Sequence, residues 1–489
     1  MKKYFTLLFV LGTLIVSEHS HSQLPNIAKP VNYSVESSFF LSNGNAPFWQ
    51  QANQNGEIPT YQYASSWTKG SLAKYYAVDS VGKNKVIDWG AGATGIISVS
   101  NTPSLFFSQI YAQLKVSKFE LSVGRRYEQI GIIDQNLSSG SYSFSNNALP
   151  IPKIQLASLG FVEVPLTKHL VSFKFNYADG LVGETQGNPF NTSVNIKDTY
   201  LHQKSLYARF GKPKWKLNLY GGFCHQVMWG GEYQIWPTGF DLTRSHRYWG
   251  VIRGESWSGS RIGNHVANLD LGFSYRNSRF DLMAYRQSIV EDGALYRGLS
   301  NISDGLNGVL VNFKKKSSNK ITFKSALFEF LYTFSQGGSV FDLSQGIIGR
   351  NNYFNHYIYL NGWSYQNRTL GTPFIAPQTS TRDDLPRNSF TNNNRLWLLH
   401  FGFSGTAFGK YTFLSKISFS NNAGTYDTPF PKATNQFSGF LQLKAPSNLF
   451  GGSEMIGSVA LDIGKLYPNQ MSISWGIRKS GALSKDMRR

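Results

Sequence analysis

In the stretch NQMSISWGIRK, residues 469–479, Met471, Ile473, Trp475 and Ile477 alternate with Ser472, Ser474, Gly476 and Arg478. Successive side chains of an extended strand point to opposite faces, so one face here is apolar and the other small or polar. The pattern recurs in GSVALDIGKLY (457–467), where Val459, Leu461 and Ile463 alternate with Ala460, Asp462 and Gly464. Phe119, Leu121 and Val123 likewise alternate with Glu120 and Ser122. Similar runs lie at Val171 to Tyr177, Leu269 to Tyr275, Ile321 to Phe328 and Phe413 to Phe419.

A β-sandwich also alternates. Three features favour a membrane barrel instead. The strands are too many for a sandwich, the polar face is truly polar, and very short turns alternate with very long loops, as in outer-membrane barrels. A strand ends near Met228, and a long segment runs to Asn264. The strand from His265 to Arg276 then turns tightly at Asn277 and Ser278. Further loops are read at Glu291 to Leu306 and at Ser335 to Asn394, and another tight turn at Phe408 and Gly409. The whole chain reads as an all-β, transmembrane antiparallel β-barrel of about 18 strands, with long extracellular loops, short periplasmic turns and both termini on the short-turn side.

The bulk numbers agree. Of 489 residues, 15% are aromatic, 47 are glycine and only 16% are charged, against roughly 25% charged in soluble domains. Mean hydropathy is −0.27, so the chain is not greasy throughout. Residues 1–22 read as a secretory signal: Lys2 and Lys3, an apolar run from Tyr4 to Val16, and small residues at Ser20 and Ser22 before a mature start at Gln23. Residues 23–489 then form a single outer-membrane barrel domain with loop and plug elements. The formal net charge of +20 has two readings: affinity for an anionic polysaccharide or lipopolysaccharide phosphate, or solvated turns such as Lys314, Lys315, Lys316 and Lys320. Nucleic acid is a poor partner for an exported chain.

In KWKLNLYGGFCHQVMWGG (214–231), the lone cysteine, Cys224, adjoins His225. Strand neighbours point to opposite faces and cannot readily share a metal. The stretch reads as a strand entering a loop, with an unreactive Cys224 and a polar-face His225. The closest carboxylate pairs, Glu291 with Asp292 and Asp383 with Asp384, fall in loops and do not establish the cross-sugar separation of a glycosidase. No catalytic role, metal or cofactor is expected. The loop from Trp229 to Gly263 is richer: Trp229, Trp236, Trp249 and Trp257 stand among Arg244, Arg247, Arg253 and Arg261. Aromatic faces cover sugar C–H surfaces, and arginine offers forked donors to carboxylate or phosphate. The glycan-contact candidates are Trp229, Trp236, Arg247, Trp249, Arg253 and Trp257, with Trp363 and Arg368 of the longest loop next. The competing reading is that these residues pack loops or form an interfacial girdle.

Several motifs resemble those of the Wzi-type capsule assembly proteins of Gram-negative outer membranes, in their Bacteroidetes form. They are GNAPFWQQANQNG (44–56), SNNALPIPKI (145–154), YLHQKSLY (200–207), HQVMWGG (225–231), Asn264-His265, EDG (291–293), DGL (304–306), NYFN (352–355), GWSY (362–365) and GTP (371–373). Met228 departs from the family's usual Gln, and Ala267 and Asn268 from its Gly-Ser. The resemblance implies an eighteen-stranded barrel, occluded by its outer loops and plugged on the periplasmic side. It implies a lectin-like role, holding capsular polysaccharide or exopolysaccharide at the cell surface; the lack of a catalytic constellation adds that the protein is no enzyme, and it is expected to be a monomer among outer-membrane lipids and lipopolysaccharide. The alternative is a porin or channel for a small solute.

Overall fold

The computed structural model describes residues 31–59, 63–76, 86–100, 102–187, 193–236, 238–257, 260–291, 295, 298–314, 320–387 and 389–483. The signal reading of residues 1–22, the start at Gln23, Asp292, Gly293, Lys315 and Lys316 lie outside the described residues.

The wall is one antiparallel sheet. Its strands are β1 (Val31–Ser42), β2 (Ala64–Lys74), β3 (Ile87–Val99), β4 (Ser104–Val116), β5 (Phe119–Arg125), β6 (Lys153–Ser158), β7 (Val171–Gly187), β8 (Val194–Phe210) and β9 (Leu217–Trp229). They continue as β10 (Asn264–Arg276), β11 (Phe280–Val290), β12 (Gly305–Phe313), β13 (Ile321–Tyr332), β14 (Leu396–Ala407), β15 (Tyr411–Gly424), β16 (Pro429–Ser447), β17 (Ser453–Gly464) and β18 (Gln470–Leu483). The sheet counts 19 strands. One of them, Val162–Glu163, is a two-residue piece that extends β6 along β7, which leaves eighteen staves. Each stave pairs with the next in sequence, and β1 closes on β18 from Val31↔Leu483 to Ser42↔Ser472. Closure removes the sheet edge, the requirement for strands in lipid.

The alternation read in the sequence is realised at this seam. Met471, Ile473 and Trp475 point outward, Trp475 at 63% exposure, while Ser472 and Ser474 are buried toward the lumen. Trp475 sits opposite Phe39 of β1, with ring centroids 5.9 Å apart. On β5, Phe119, Leu121 and Val123 are exposed, and Glu120 and Ser122 are buried. An apolar belt that is exposed on the molecule but continuous around it is the surface lipid would cover.

Turns sort by end. Residues 117–118, 277–279, 408–410 and 448–452 make tight turns at the end that also holds Val31 and Leu483. The opposite end carries 43–63, 126–152, 230–263, 291–304 and 333–395. Short turns mark the periplasmic rim of an outer-membrane barrel.

This geometry generates the first prediction. Replacing Trp475 by Arg puts a cation on the lipid-facing side, at a cost of about 2–4 kcal/mol near the midplane. Trp475→Arg is expected to lower the yield of heat-modifiable, folded barrel in membranes. Normal yield on a semi-native gel would mean that this face does not meet lipid.

Candidate functional site

The lumen is filled by three of the long connections. In the first, a short helix α1 (Phe48–Gln51) dips into the barrel behind Pro47. The Phe48 N–H donates to Asp462 Oδ2 on β17 (2.7 Å), and Trp49 Nε1 donates to Ser418 Oγ on β15 (2.9 Å). The ammonium of Lys416 lies 4.5 Å over the Trp49 ring. Phe48 packs on Phe374 (4.5 Å between centroids) and Tyr467 (5.5 Å).

The second connection, 126–152, is irregular backbone, and its polar groups need partners once water is removed. The wall supplies them. Glu329 on β13 accepts from Ser138 Oγ (2.7 Å), the Ser139 N–H (2.6 Å) and the Tyr285 hydroxyl. Gln287 on β11 accepts from the Tyr142 N–H at 3.1 Å, Asn268 on β10 accepts from Ser143 Oγ, and His400 on β14 meets the Leu137 carbonyl at 2.6 Å. Gly402 on β14 gives the plug its closest approach, because a Cβ there would stand 2.7 Å from the same Leu137 carbonyl.

The third connection lies across the second. Ser145 Oγ donates to the Gly371 carbonyl (2.6 Å), Asn147 Nδ2 to the Thr369 carbonyl (3.1 Å) and Trp363 Nε1 to the Ser143 carbonyl (2.8 Å). Thus the PFW, SNNALPIP, GWSY and GTP motifs meet in one packed core. The family resemblance places a plug on the periplasmic side. The filling seen among the described residues descends from the extracellular connections instead, because the lumen-facing acceptors stand in the upper halves of their strands.

This placement decides how two sequence candidates are used. Trp363 is fully buried in the plug. Arg368 donates from its guanidinium to the Ile58 carbonyl at 2.6 Å and ties the third connection to the first. Their side chains hold loops together.

The connection 230–263 behaves differently. It contains helices α2 (Glu232–Ile235) and α3 (Arg244–Arg253) and a ribbon of Ser256–Trp257 with Ser260–Arg261. Thr243 caps α3 by accepting from the His246 N–H (3.3 Å), and Gly254 ends it with φ +73°. The module folds against the outside of the wall at the extracellular rim. Val251 and Ile262 bury Val227 and Trp229 of β9. The Tyr248 hydroxyl donates to Asp179 Oδ2 of β7 (2.7 Å) and meets the Tyr177 hydroxyl (2.8 Å). Burial, the bond to Tyr177 and the bond to Asp179 push the Tyr248 phenol above its usual range. Lys204 Nζ donates to the Ile252 carbonyl of α3.

His225 belongs to this outer patch, which corrects its assignment to the polar, lumen-facing side. Cys224 points inward, buried, with Gln226 Nε2 3.4 Å from its sulfur. His225 points outward and stacks on His265, the facing ring nitrogens 2.9 Å apart. The rim lies above lipid and beneath α3, so a polar residue on the outer face finds partners there. Among the described residues no group of three His, Cys, Asp or Glu is placed to hold a metal. Of the carboxylates named in the sequence, the three that lie among the described residues are engaged: Glu291 accepts from the Tyr142 hydroxyl (2.5 Å), Asp383 pairs with Arg387 (2.5 Å) and Asp384 with Arg382 (2.9 Å).

The six module candidates divide. Trp229 is buried, and Arg247 is tied to Glu232 at 2.9 Å. Trp236, Phe240 and Trp257 form an aromatic cluster at the surface, with centroids 4.8–6.3 Å apart, and Trp257 Nε1 donates to Asp241 at 3.1 Å. Trp249 is half exposed, with the Arg253 guanidinium 5.7 Å from its ring. Where the module meets the wall, a groove of about 860 Å³ runs between Tyr200, Tyr248 and Arg244 on one side and Val123, Ile154 and Leu181 on the other.

No family model matches the chain, and no curated protein matches it in sequence. Among solved structures it is similar to Wzi, an outer-membrane protein involved in group 1 capsule assembly in Escherichia coli and a carbohydrate-binding β-barrel. The TM-score is 0.58 at 13% identity, over 92% of this chain and 85% of that one. OccAB4 of Acinetobacter baumannii gives a TM-score of 0.46 at 10% identity, over 94% and 100% of the two chains. OccK5 (OpdH) of Pseudomonas aeruginosa gives 0.46 at 10%, over 93% and 99%. The likeness to Wzi establishes the fold as that of an outer-membrane barrel.

Glu329 provides the test of the plug. Glu329→Leu strands three buried donors, each costing about 1–3 kcal/mol when left unpaired. The expected outcome is a folded wall with a loosened plug: protease cleavage within 126–152 and raised ionic conductance in planar bilayers. Unchanged protection and conductance would show that the plug does not depend on this carboxylate.

Proposed function

We propose that this protein is a non-catalytic outer-membrane barrel that holds capsular polysaccharide or exopolysaccharide at the cell surface. The observation that carries the reading is the division of the molecule into a filled lumen and an aromatic, arginine-bearing module built on the outer rim. A hydrogen-bonded plug suits a support better than a conduit. Trp236, Trp249, Trp257 and Arg253 keep surface with which sugar rings and their carboxylates would interact. The description of Wzi as a carbohydrate-binding barrel supports the same reading at the level of fold. The net charge of +20 favours an acidic glycan and neighbouring lipopolysaccharide phosphate. In this reading residues 1–22 direct export, and the barrel acts as a monomer.

A channel for a small solute is the second reading. A lumenal chamber of about 370 Å³, lined by Tyr75, Tyr111 and Leu159 below plug residues 126–130, favours it, and planar-bilayer conductance of the unaltered protein separates the two: a stable open pore supports the channel.

The surface reading predicts that Trp236→Ala, Trp249→Ala and Trp257→Ala each weaken polysaccharide binding roughly 2- to 10-fold, the scale of one aromatic contact. Arg253→Ala is expected to affect an acidic glycan more than a neutral one. The difference should shrink at high salt, because exposed charges are screened beyond about 8–10 Å at physiological ionic strength. The measurement is glycan affinity at two salt concentrations beside a heat-modifiability gel. Unchanged affinity in all four folded variants removes the module from the binding surface.

A further inference from the structure

The periplasmic turns from Pro165 round to Lys410 are joined by hydrogen bonds from one turn to the next. Residues 165–170 carry Lys168, and the Leu170 carbonyl accepts from the Gly211 N–H (2.8 Å). The next turn, 211–216, holds Lys212, Lys214 and Lys216, and the Lys216 carbonyl accepts from the Arg276 N–H (2.8 Å). Arg279 follows, and its carbonyl accepts from the Lys314 N–H (2.9 Å). The Lys320 carbonyl then accepts from the Phe408 N–H (2.6 Å), two residues before Lys410. The result is one arc along the rim, from the turn before β7 to the turn before β15. Each of these lysines is exposed, and so is Arg279.

Few acids answer this charge. Lys314 pairs with Asp281 (2.6 Å), and Glu163 pairs with His169 (2.8 Å); among the described residues no other carboxylate forms an ion pair with the arc. The extracellular end is different. There Arg247 pairs with Glu232, Arg253 with Glu255, Arg350 with Asp427, Arg382 with Asp384 and Arg387 with Asp383. Lysines two residues apart lie within the screening length of about 8 Å at physiological ionic strength, so the fields of Lys212, Lys214 and Lys216 add. Apolar side chains stand between the cations. Leu166 is 96% exposed, Trp215 is exposed between Lys214 and Lys216, and Phe408 is exposed next to the Lys410 turn. Trp215 extends the outward row of Leu217 and Leu219 on β9, and Phe210 and Phe313 end the outward rows of their strands. The arc is therefore basic and apolar at once, and it continues the apolar belt of the wall.

An acidic polymer free in the periplasm would use the cations and leave Leu166, Trp215 and Phe408 in water. A lipid uses both, because its phosphate meets the ammonium groups while its acyl chains meet the apolar side chains. We propose that the arc is a binding face for anionic phospholipids of the inner leaflet. Their phosphodiester groups lie among the lysines, and their acyl chains lie along Phe210, Trp215 and Leu217. A headgroup that carries its own ammonium offsets its phosphate, so phosphatidylglycerol is preferred to phosphatidylethanolamine. The face goes beyond the glycan reading and is independent of it, since the outer module stands at the opposite rim.

The test uses the full barrel in detergent micelles, with phosphatidylglycerol and phosphatidylethanolamine of matched acyl chains as probes. Native mass spectrometry of the unaltered protein is expected to show phosphatidylglycerol retained roughly fivefold over phosphatidylethanolamine, the scale of a few interfacial lysines. Added salt should narrow that ratio. The triple variant Lys212→Gln, Lys214→Gln, Lys216→Gln is expected to lower the ratio about twofold or more, and the corresponding triple change to Arg to keep it. If the Gln triple fails the heat-modifiability gel, Arg279→Gln with Lys410→Gln takes its place with the same expected loss. Equal retention of the two lipids by the unaltered protein, an unchanged ratio in a folded Gln variant, or the same loss from Arg350→Gln with Arg382→Gln at the other rim each overturns the proposal. Saturable binding of a polygalacturonate oligomer that the Gln triple abolishes would assign the arc to an acidic polymer and overturn it as well. The glycan reading is tested with polymer on the outer module, so either can fail alone.

Discussion

A backbone amide removed from water must find a partner, and this constraint shapes the whole molecule. In the wall it is met by pairing each stave with its neighbours and closing β1 on β18. Inside the lumen it is met differently. The segments that fill the barrel are irregular, so they satisfy only part of their own N–H groups, as where the Trp363 N–H donates to the Phe354 carbonyl. Asp462, Gln287 and Glu329 project from the wall and accept from the backbone of Phe48, Tyr142 and Ser139. The polar face of the strands is thus a set of docking points for the plug as well as a wetted surface.

The same constraint explains why the two ends of the barrel differ. Tight turns at the periplasmic rim satisfy themselves within a few residues. Long connections at the other end reach partners either inward or outward. The connections 43–63 and 126–152 turn inward, because small residues such as Gly402 allow close approach and acidic or amide side chains await them. The connection 230–263 turns outward, where Asp179, Lys204, His225 and Trp229 stand on the outer face above the apolar belt. Its cap, helix and Gly254 terminus let it form its own small layer on those residues.

This division bears on function. A barrel whose upper lumen is packed with side chains offers its outer module to the surroundings, and below the plug it retains a polar chamber. Aromatic residues serve both regions, but with different consequences. Phe48, Trp49 and Trp363 are consumed by packing, whereas Trp249 and the Trp236, Phe240 and Trp257 cluster retain surface.

Period-two alternation in 469–479 and its counterparts, with the contrast between short turns and long loops, was sufficient to determine an antiparallel outer-membrane barrel of about 18 strands and the course of individual strands such as His265 to Arg276 and Leu396 to Thr406. Local physics suffices there: alternation records two solvents on two faces of one strand, and a tight turn is written in adjacent residues. The order of the PFW, SNNALPIP, GWSY and GTP motifs was equally legible, but not that they touch. Only the closed barrel brings Phe48 to Phe374 and Ser143 to Trp363, residues far apart along the chain. Tertiary structure alone also decided that Trp363 and Arg368 hold the plug and that His225 faces outward beneath α3. A side chain's face follows from its own strand, but what lies opposite depends on where the loops go, and that is settled by which buried amides find acceptors.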